Sequence, residues 1–95
     1  MSATLTSRTW TFDAPNGSVP ITQDESGRQI TVEPITLTVT RHERWGLRVA
    51  VEGRWILRDG TYGRHRKSVA WGGDWQPPLS EAPEWVREAV TEVAR

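Results

Sequence analysis

Arginines and aromatic residues alternate through the middle of this sequence, between residues 41 and 67. Seven arginines and one lysine stand there against three acids, a surplus of five positive charges in a chain of 95 residues whose formal net charge is zero. Guanidinium groups bind carboxylates and phosphates, while flat rings beside them stack on unpaired bases or fill pockets on another protein. This pattern predicts a binding surface for an acidic partner.

Two kinds of partner fit such a surface. A protein with an acidic surface is the interpretation we favour, and the alternative is RNA or single-stranded DNA bound through the same arginines and rings. The two differ in salt dependence, because affinity for a nucleic acid falls steeply as salt rises. In either case the candidate binding residues are cations of this segment and a tryptophan of the following loop: Arg41, Arg44, Arg64, Arg66, Lys67 and Trp75.

A purely structural interpretation competes with binding. Trp45 has the same parity as Leu47, Val49 and Val51 in an alternating segment. Its ring is therefore expected to turn into the core, while the arginines form a solvated outer face with their stems along apolar surface. The two interpretations differ in which rings they leave exposed.

Residues for catalysis or metal binding are sparse. The chain has two histidines, His42 and His65, and no cysteine, and neither histidine has a second ligand at metal-binding spacing. His65, Asp59 and Ser68 have the residue types of a catalytic trio, but such trios arise by chance in a polar chain. No glycine cluster has the strand-then-helix context of a phosphate loop. We therefore predict a non-catalytic protein with no metal and no cofactor.

The elements that must position the binding residues are mostly strands. A first strand is expected from Thr4 to Phe12, and Val19–Thr22 is expected to pair back onto it as an edge piece. A turn over residues 23–27 precedes an alternating segment from Gln29 to Thr40. The phase of that segment changes at Glu33–Pro34, which predicts a bulge or bend in one long strand.

The second half of the sheet follows a reversal at residues 41–44. A half-buried strand begins at Trp45, and Gly53 marks either a short turn or a bulge. The last strand is expected from His65 to Trp71, and a loop rich in glycine and proline follows over residues 72–78.

A helix is expected at the C-terminus. Ser80 can cap it and Pro83 is tolerated only in a first turn, so the helix is expected to begin between them. Apolar residues then recur with a 3.6-residue period, which predicts that one stripe docks on the sheet. The stripe comprises Trp85, Val86, Ala89, Val90 and Val93.

These patterns together predict one small α+β domain over residues 1–95. It consists of a bent antiparallel β-sheet of five or six strands, a half-barrel in its most curled form, with one C-terminal α-helix packed on it. The sheet and the tryptophan- and proline-containing loop take residues 1–79, and the helix takes residues 80–95. An edge strand at Val19–Thr22 leaves a homodimer open.

Composition indicates the cellular compartment and the kind of genome to which the protein belongs. The absence of cysteine, of a signal sequence and of a long apolar run predicts a soluble cytoplasmic protein that does not enter a membrane. Eleven arginines against one lysine indicate a GC-rich genome. Size and composition would suit an accessory protein of a phage or mobile element.

Overall fold

A long central strand organises the sheet. The computed structural model describes residues 6–73 and 76–94. Its elements, in chain order, are β1 (Ser7–Asp13), β2 (Ile21–Glu25), β3 (Arg28–His42), β4 (Gly46–Ile56), β5 (Tyr62–Trp71), a 3-10 turn (Leu79–Glu81) and α1 (Glu84–Ala94). The predicted α+β fold is confirmed, with five antiparallel strands in a sheet that does not close and one C-terminal helix.

The strand β3, which is 15 residues long, pairs with three others. Along one edge it pairs with β4, and along the other it pairs first with β2 and then with β1. The expected pairing of Val19–Thr22 with the first strand is therefore wrong. The part of that first strand before Thr6 lies outside the described residues. Ser26 and Gly27 both have positive φ, which suits a two-residue hairpin turn and keeps residues 23–25 in β2 rather than in the turn.

The predicted bulge in the long strand is confirmed. The register between β3 and β4 shifts between Pro34 and Thr36. Gly53 lies opposite Pro34 inside β4, so it forms neither a turn nor a bulge of its own. A side chain there would collide with the Glu33 carbonyl group, because the two backbones approach closely at the bend.

One face of the sheet, which we call the core face, carries the apolar residues. They lie opposite one another across the strands, and α1 covers them with its valines. The buried set is Ile30, Val32, Leu37, Val39, Val49, Val51, Val69, Trp71, Ala82, Val86 and Val90. The inward positions predicted for Val69 and Trp71 are confirmed. The opposite face, here the outer face, carries mainly threonine, alanine and charged residues.

The helix begins later than the sequence predicts. Residues 79–81 form a 3-10 turn in which Ser80 does not cap α1, and the Pro83 carbonyl accepts the N–H groups of Val86 and Arg87. Helix α1 therefore begins at Glu84. Its apolar stripe faces the core as predicted, with Val86 and Val90 buried. The predicted helix extended to Arg95, which lies outside the described residues. Neither helix described here has the length and apolar character needed to cross a membrane.

Candidate interaction surface

The predicted binding residues divide between two ends of the sheet. Arg41 lies at the end of β3 and Arg44 in the turn to β4. Arg64, Arg66 and Lys67 lie in β5, where Arg66 is opposite Arg54 of β4. Arg54 lies eight residues along β4 from Gly46, where the turn ends, which is a distance of about 26 Å. The two groups do not form one surface, and Trp75 lies outside the described residues.

Two of the three cations of β5, Arg66 and Lys67, lie beside acids of the protein itself. Arg66 pairs with Glu52 at 3.5 Å, and Lys67 pairs with Glu25 at 3.7 Å. The ammonium group of Lys67 also lies 5.1 Å from the centre of the Trp55 ring. Alternation along the strand places Arg66 on the outer face and Lys67 on the core face. These charges are already partly compensated, so β5 offers less to an acidic partner.

The other end of the sheet differs in both charge and exposure. We call it the tip, and it consists of residues 41–48 and of residues 6–8, at the start of the neighbouring β1. Trp45 is 62% exposed there, so the expectation that its ring turns inward is wrong. Strand β3 continues to His42 and β4 begins only at Gly46, which leaves Trp45 in the turn. Strand parity does not apply to a residue in a turn.

The exposed indole is held in place by His42. The two rings stack with centres 4.1 Å apart and planes 13° apart. The Nδ1 atom of His42 accepts the backbone N–H groups of Arg44, at 3.0 Å, and of Trp45, at 3.3 Å. A ring held in this way loses little conformational freedom when it enters a pocket, which favours binding.

The tip contains four arginines: Arg8, Arg41, Arg44 and Arg48. All four are exposed, and none forms an ion pair with an acid among residues 6–73 and 76–94. The guanidinium group of Arg48 lies 5.9 Å from the centre of the Trp45 ring. The tip therefore presents uncompensated cations beside an aromatic ring, the combination found at interface hot spots.

The single acid of the tip, Glu43, is engaged locally. The Thr6 hydroxyl donates a hydrogen bond to its carboxylate at 2.7 Å, and its backbone N–H donates to the Thr6 carbonyl at 3.3 Å. The hydrogen bond from the Thr6 side chain holds the pKa of Glu43 below its ordinary value. Glu43 thus fastens the turn to Thr6, the residue before β1, and forms no ion pair with an arginine among the described residues.

A shallow depression of about 260 Å³ adjoins the tip on the outer face. Side chains of β3, β4 and β5, most of them small, line it together with Arg48. The lining residues are Thr38, Thr40, Arg48, Val49, Ala50, Ala70, Trp71, Gly72 and Gln76. The side chains of this part of the outer face are mostly small and neutral.

The candidate catalytic trio is not assembled. His65 and Ser68 lie three positions apart in β5, so they project from opposite faces. The Asp59 carboxylate accepts hydrogen bonds from the backbone and hydroxyl groups of Thr61 in the preceding turn, and the hydroxyl lowers the pKa of Asp59. No group of three or more histidine, aspartate or glutamate residues that could hold a metal ion occurs in the described part of the chain.

Sequence reasoning missed three residues of the tip. Arg8 stands in β1, more than thirty positions before the turn, and only the pairing of β1 with β3 brings it there. Arg48 was expected on a solvated face, and the ring of Trp45 was expected in the core. The signal that could have placed Trp45 outside was Gly46, which has positive φ and begins β4 one residue later.

Comparison with known proteins finds no matching family model, no matching curated protein and no matching solved structure.

Proposed function

We propose that this chain is a non-catalytic binding protein that docks its tip on an acidic surface of a partner protein. The observation that carries the proposal is the Trp45 indole, which is 62% exposed, stacked on His42 and 5.9 Å from the guanidinium group of Arg48, an arginine with no acidic partner among the described residues. Exposed tryptophan and arginine contribute most of the energy in many protein interfaces. The absence of cysteine supports a cytoplasmic setting for this interaction.

Charge distribution favours a protein over a nucleic acid as the partner. A single strand binds along a continuous basic groove lined by rings on which several bases stack. Here the arginines of the tip are separated from those of β5 by small neutral side chains, and Glu52 lies beside Arg66. A compact cationic end with one exposed ring suits a pocket on an acidic protein better than it suits a phosphate backbone.

Affinity capture from a lysate of the native host, treated with nuclease, tests the proposal. The baits are the wild type, Trp45→Ala and Arg44→Gln, with the double variant Arg64→Gln/Arg66→Gln as the matched control. We expect one protein that both tip variants lose and the control retains. With that protein purified, each tip variant is expected to weaken binding by about tenfold or more, and the control by less than about twofold.

Two results would overturn the proposal. One is equal affinity of the wild type and both tip variants for the captured protein. The other is a species captured only from a parallel lysate that has not been treated with nuclease and whose binding falls steeply between low and moderate salt, because that behaviour identifies a nucleic acid as the partner.

A further inference from the structure

Two arginines face each other across neighbouring strands at the tip. In the register of β1 and β3, Arg8 is directly opposite Arg41. Residues in such positions project from the same face, with Cβ atoms about 5 Å apart. Like charges placed directly opposite destabilise a sheet. This pair is therefore unfavourable unless an anion lies between or beside the two guanidinium groups.

A second arginine pair in the same sheet is compensated. Arg54 of β4 is opposite Arg66 of β5. Glu52 pairs with Arg66 at 3.5 Å, and the guanidinium group of Arg54 lies 4.8 Å from the centre of the Tyr62 ring. Arg8 and Arg41 have no such partner among the described residues. An anion from outside the chain would supply at the tip the negative charge that Glu52 supplies beside Arg66.

The surroundings of Arg8 and Arg41 indicate what kind of anion fits. Both arginines continue the core face beyond the covered core, since Arg41 follows Val39 by two positions and Arg8 precedes Trp10 by two. Trp10 and Leu47, the residue opposite Arg41 in β4, are partly buried against the core. Two cations bordered by apolar surface suit a carboxylate on a short aliphatic stem.

We infer that Arg8 and Arg41 form a two-pronged site for a carboxylate of the partner protein, an aspartate or glutamate side chain. This inference rests on the proposed function and names the chemistry of the partner. Guanidinium groups bind carboxylates through paired, charge-assisted hydrogen bonds, and two of them neutralise one carboxylate with charge to spare. The site lies on the core face, whereas His42 lies on the outer face, so the partner contacts both faces at the end of the sheet.

The site is tested with a defined probe instead of the unknown partner. An acetylated and amidated hexaglutamate peptide is titrated into the isotopically labelled full chain at constant ionic strength, and the Nε–H resonances of the arginines are followed. We expect saturable shifts at Arg8 and Arg41 that exceed those at Arg64. A hexaglutamine peptide serves as the neutral control and is expected to shift none of them.

Single substitutions separate a two-pronged site from general attraction. Arg8→Gln and Arg41→Gln are each expected to weaken peptide binding by about tenfold, and the double variant no more than either single one, because both cations hold the same carboxylate. Arg58→Gln, which removes an exposed arginine of the β4–β5 turn, is the matched control and is expected to change binding less than twofold. Arg41→Lys keeps the charge but loses the planar fork, so it is expected to restore only part of the affinity.

The outcomes distinguish this inference from the proposed function. Equal shifts at all arginines, or unchanged binding by Arg8→Gln, would overturn the carboxylate site. Inorganic phosphate that saturates the same two resonances more tightly than the peptide would also overturn it, because the ligand would then be a phosphate. Trp45→Ala is expected to bind the peptide as tightly as the wild type does. The peptide result therefore stands even if affinity capture shows that the tip binds no partner protein.

Discussion

The side-chain amide of Gln23 makes both hydrogen bonds that a neighbouring strand would make with Ala70. Its Nε2 donates to the Ala70 carbonyl at 2.8 Å, and its Oε1 accepts the Ala70 N–H at 3.1 Å. Gln23 lies in β2 and Ala70 in β5, which are separated in the sheet by β3 and β4. The sheet therefore curls far enough for one side chain to join its two sides, although no strand pairing closes it.

Removing this amide is expected to destabilise the fold. Gln23→Ala leaves the part-buried N–H and carbonyl groups of Ala70 without partners, which costs about 1–3 kcal/mol in the free energy of unfolding. Urea denaturation measures the change. Gln29→Ala, at an exposed position of β3, is the control and is expected to cost less than about 0.5 kcal/mol. Equal stability of the two variants would show that the amide does not hold the sheet together.

Gly53→Ala is expected to lower the free energy of unfolding by about 2–3 kcal/mol or to prevent folding. A methyl group there meets the Glu33 carbonyl and a methyl group of Val32, and both residues lie just before the bulge in β3. Gly73→Ala is the comparison, because its methyl group meets the flexible side chains of Arg48 and Gln76. Thermal and urea unfolding of both variants measure the difference, and a well-folded Gly53→Ala protein would contradict the close backbone contact.

Two tryptophans are expected to respond in opposite ways to truncation. Trp45→Ala, at a ring 62% exposed, is expected to cost less than about 1 kcal/mol of stability, although it weakens binding of the captured partner protein by about tenfold or more. Trp71→Ala, at a ring 3% exposed, is expected to cost about 3–5 kcal/mol. Denaturation curves measure both, and a large loss of stability in Trp45→Ala would assign its ring to the core.

His42→Ala is expected to loosen the turn that carries Trp45. The substitution removes the ring nitrogen that accepts the N–H groups of Arg44 and Trp45, so exchange of these two amides is expected to accelerate about five- to tenfold. Hydrogen exchange followed by nuclear magnetic resonance measures the rates. His65→Ala, at an exposed position of β5, should leave them unchanged. Unchanged exchange in His42→Ala would mean that the histidine does not order the turn.

Thr6→Val is expected to raise the pKa of Glu43 towards its ordinary value. In the folded protein the Thr6 hydroxyl lowers that pKa, so the resulting stabilisation is present above the pKa of the unfolded chain and is lost as pH falls through the folded value. Carbon resonance titration of the Glu43 carboxyl group measures the shift. Thr9→Val, which removes the hydroxyl that lies 3.5 Å from that of Thr40, is the control. An unshifted Glu43 in Thr6→Val would contradict the hydrogen bond.

Structural features that depend only on residues close together in the sequence could be predicted from it. Alternation over residues 29–40 predicted a long strand, and the phase change at Glu33–Pro34 predicted its bulge. The 3.6-residue period of the C-terminal segment predicted which face of α1 is buried. These inferences held because side-chain direction follows the local backbone geometry of a strand or a helix.

Tertiary structure decided which parts of the surface meet. Nothing local to Arg8 indicates that β1 pairs with the end of β3 and places it opposite Arg41. Likewise, the exposure of Trp45 depends on β4 beginning one residue after it, which reverses what parity alone predicts. Strand pairing and turn position depend on contacts between distant residues, whose free energies no single segment contains. The sequence by itself therefore determined the long central strand, its bulge and the C-terminal helix, and the pairing of β1 with β3 assembled the tip.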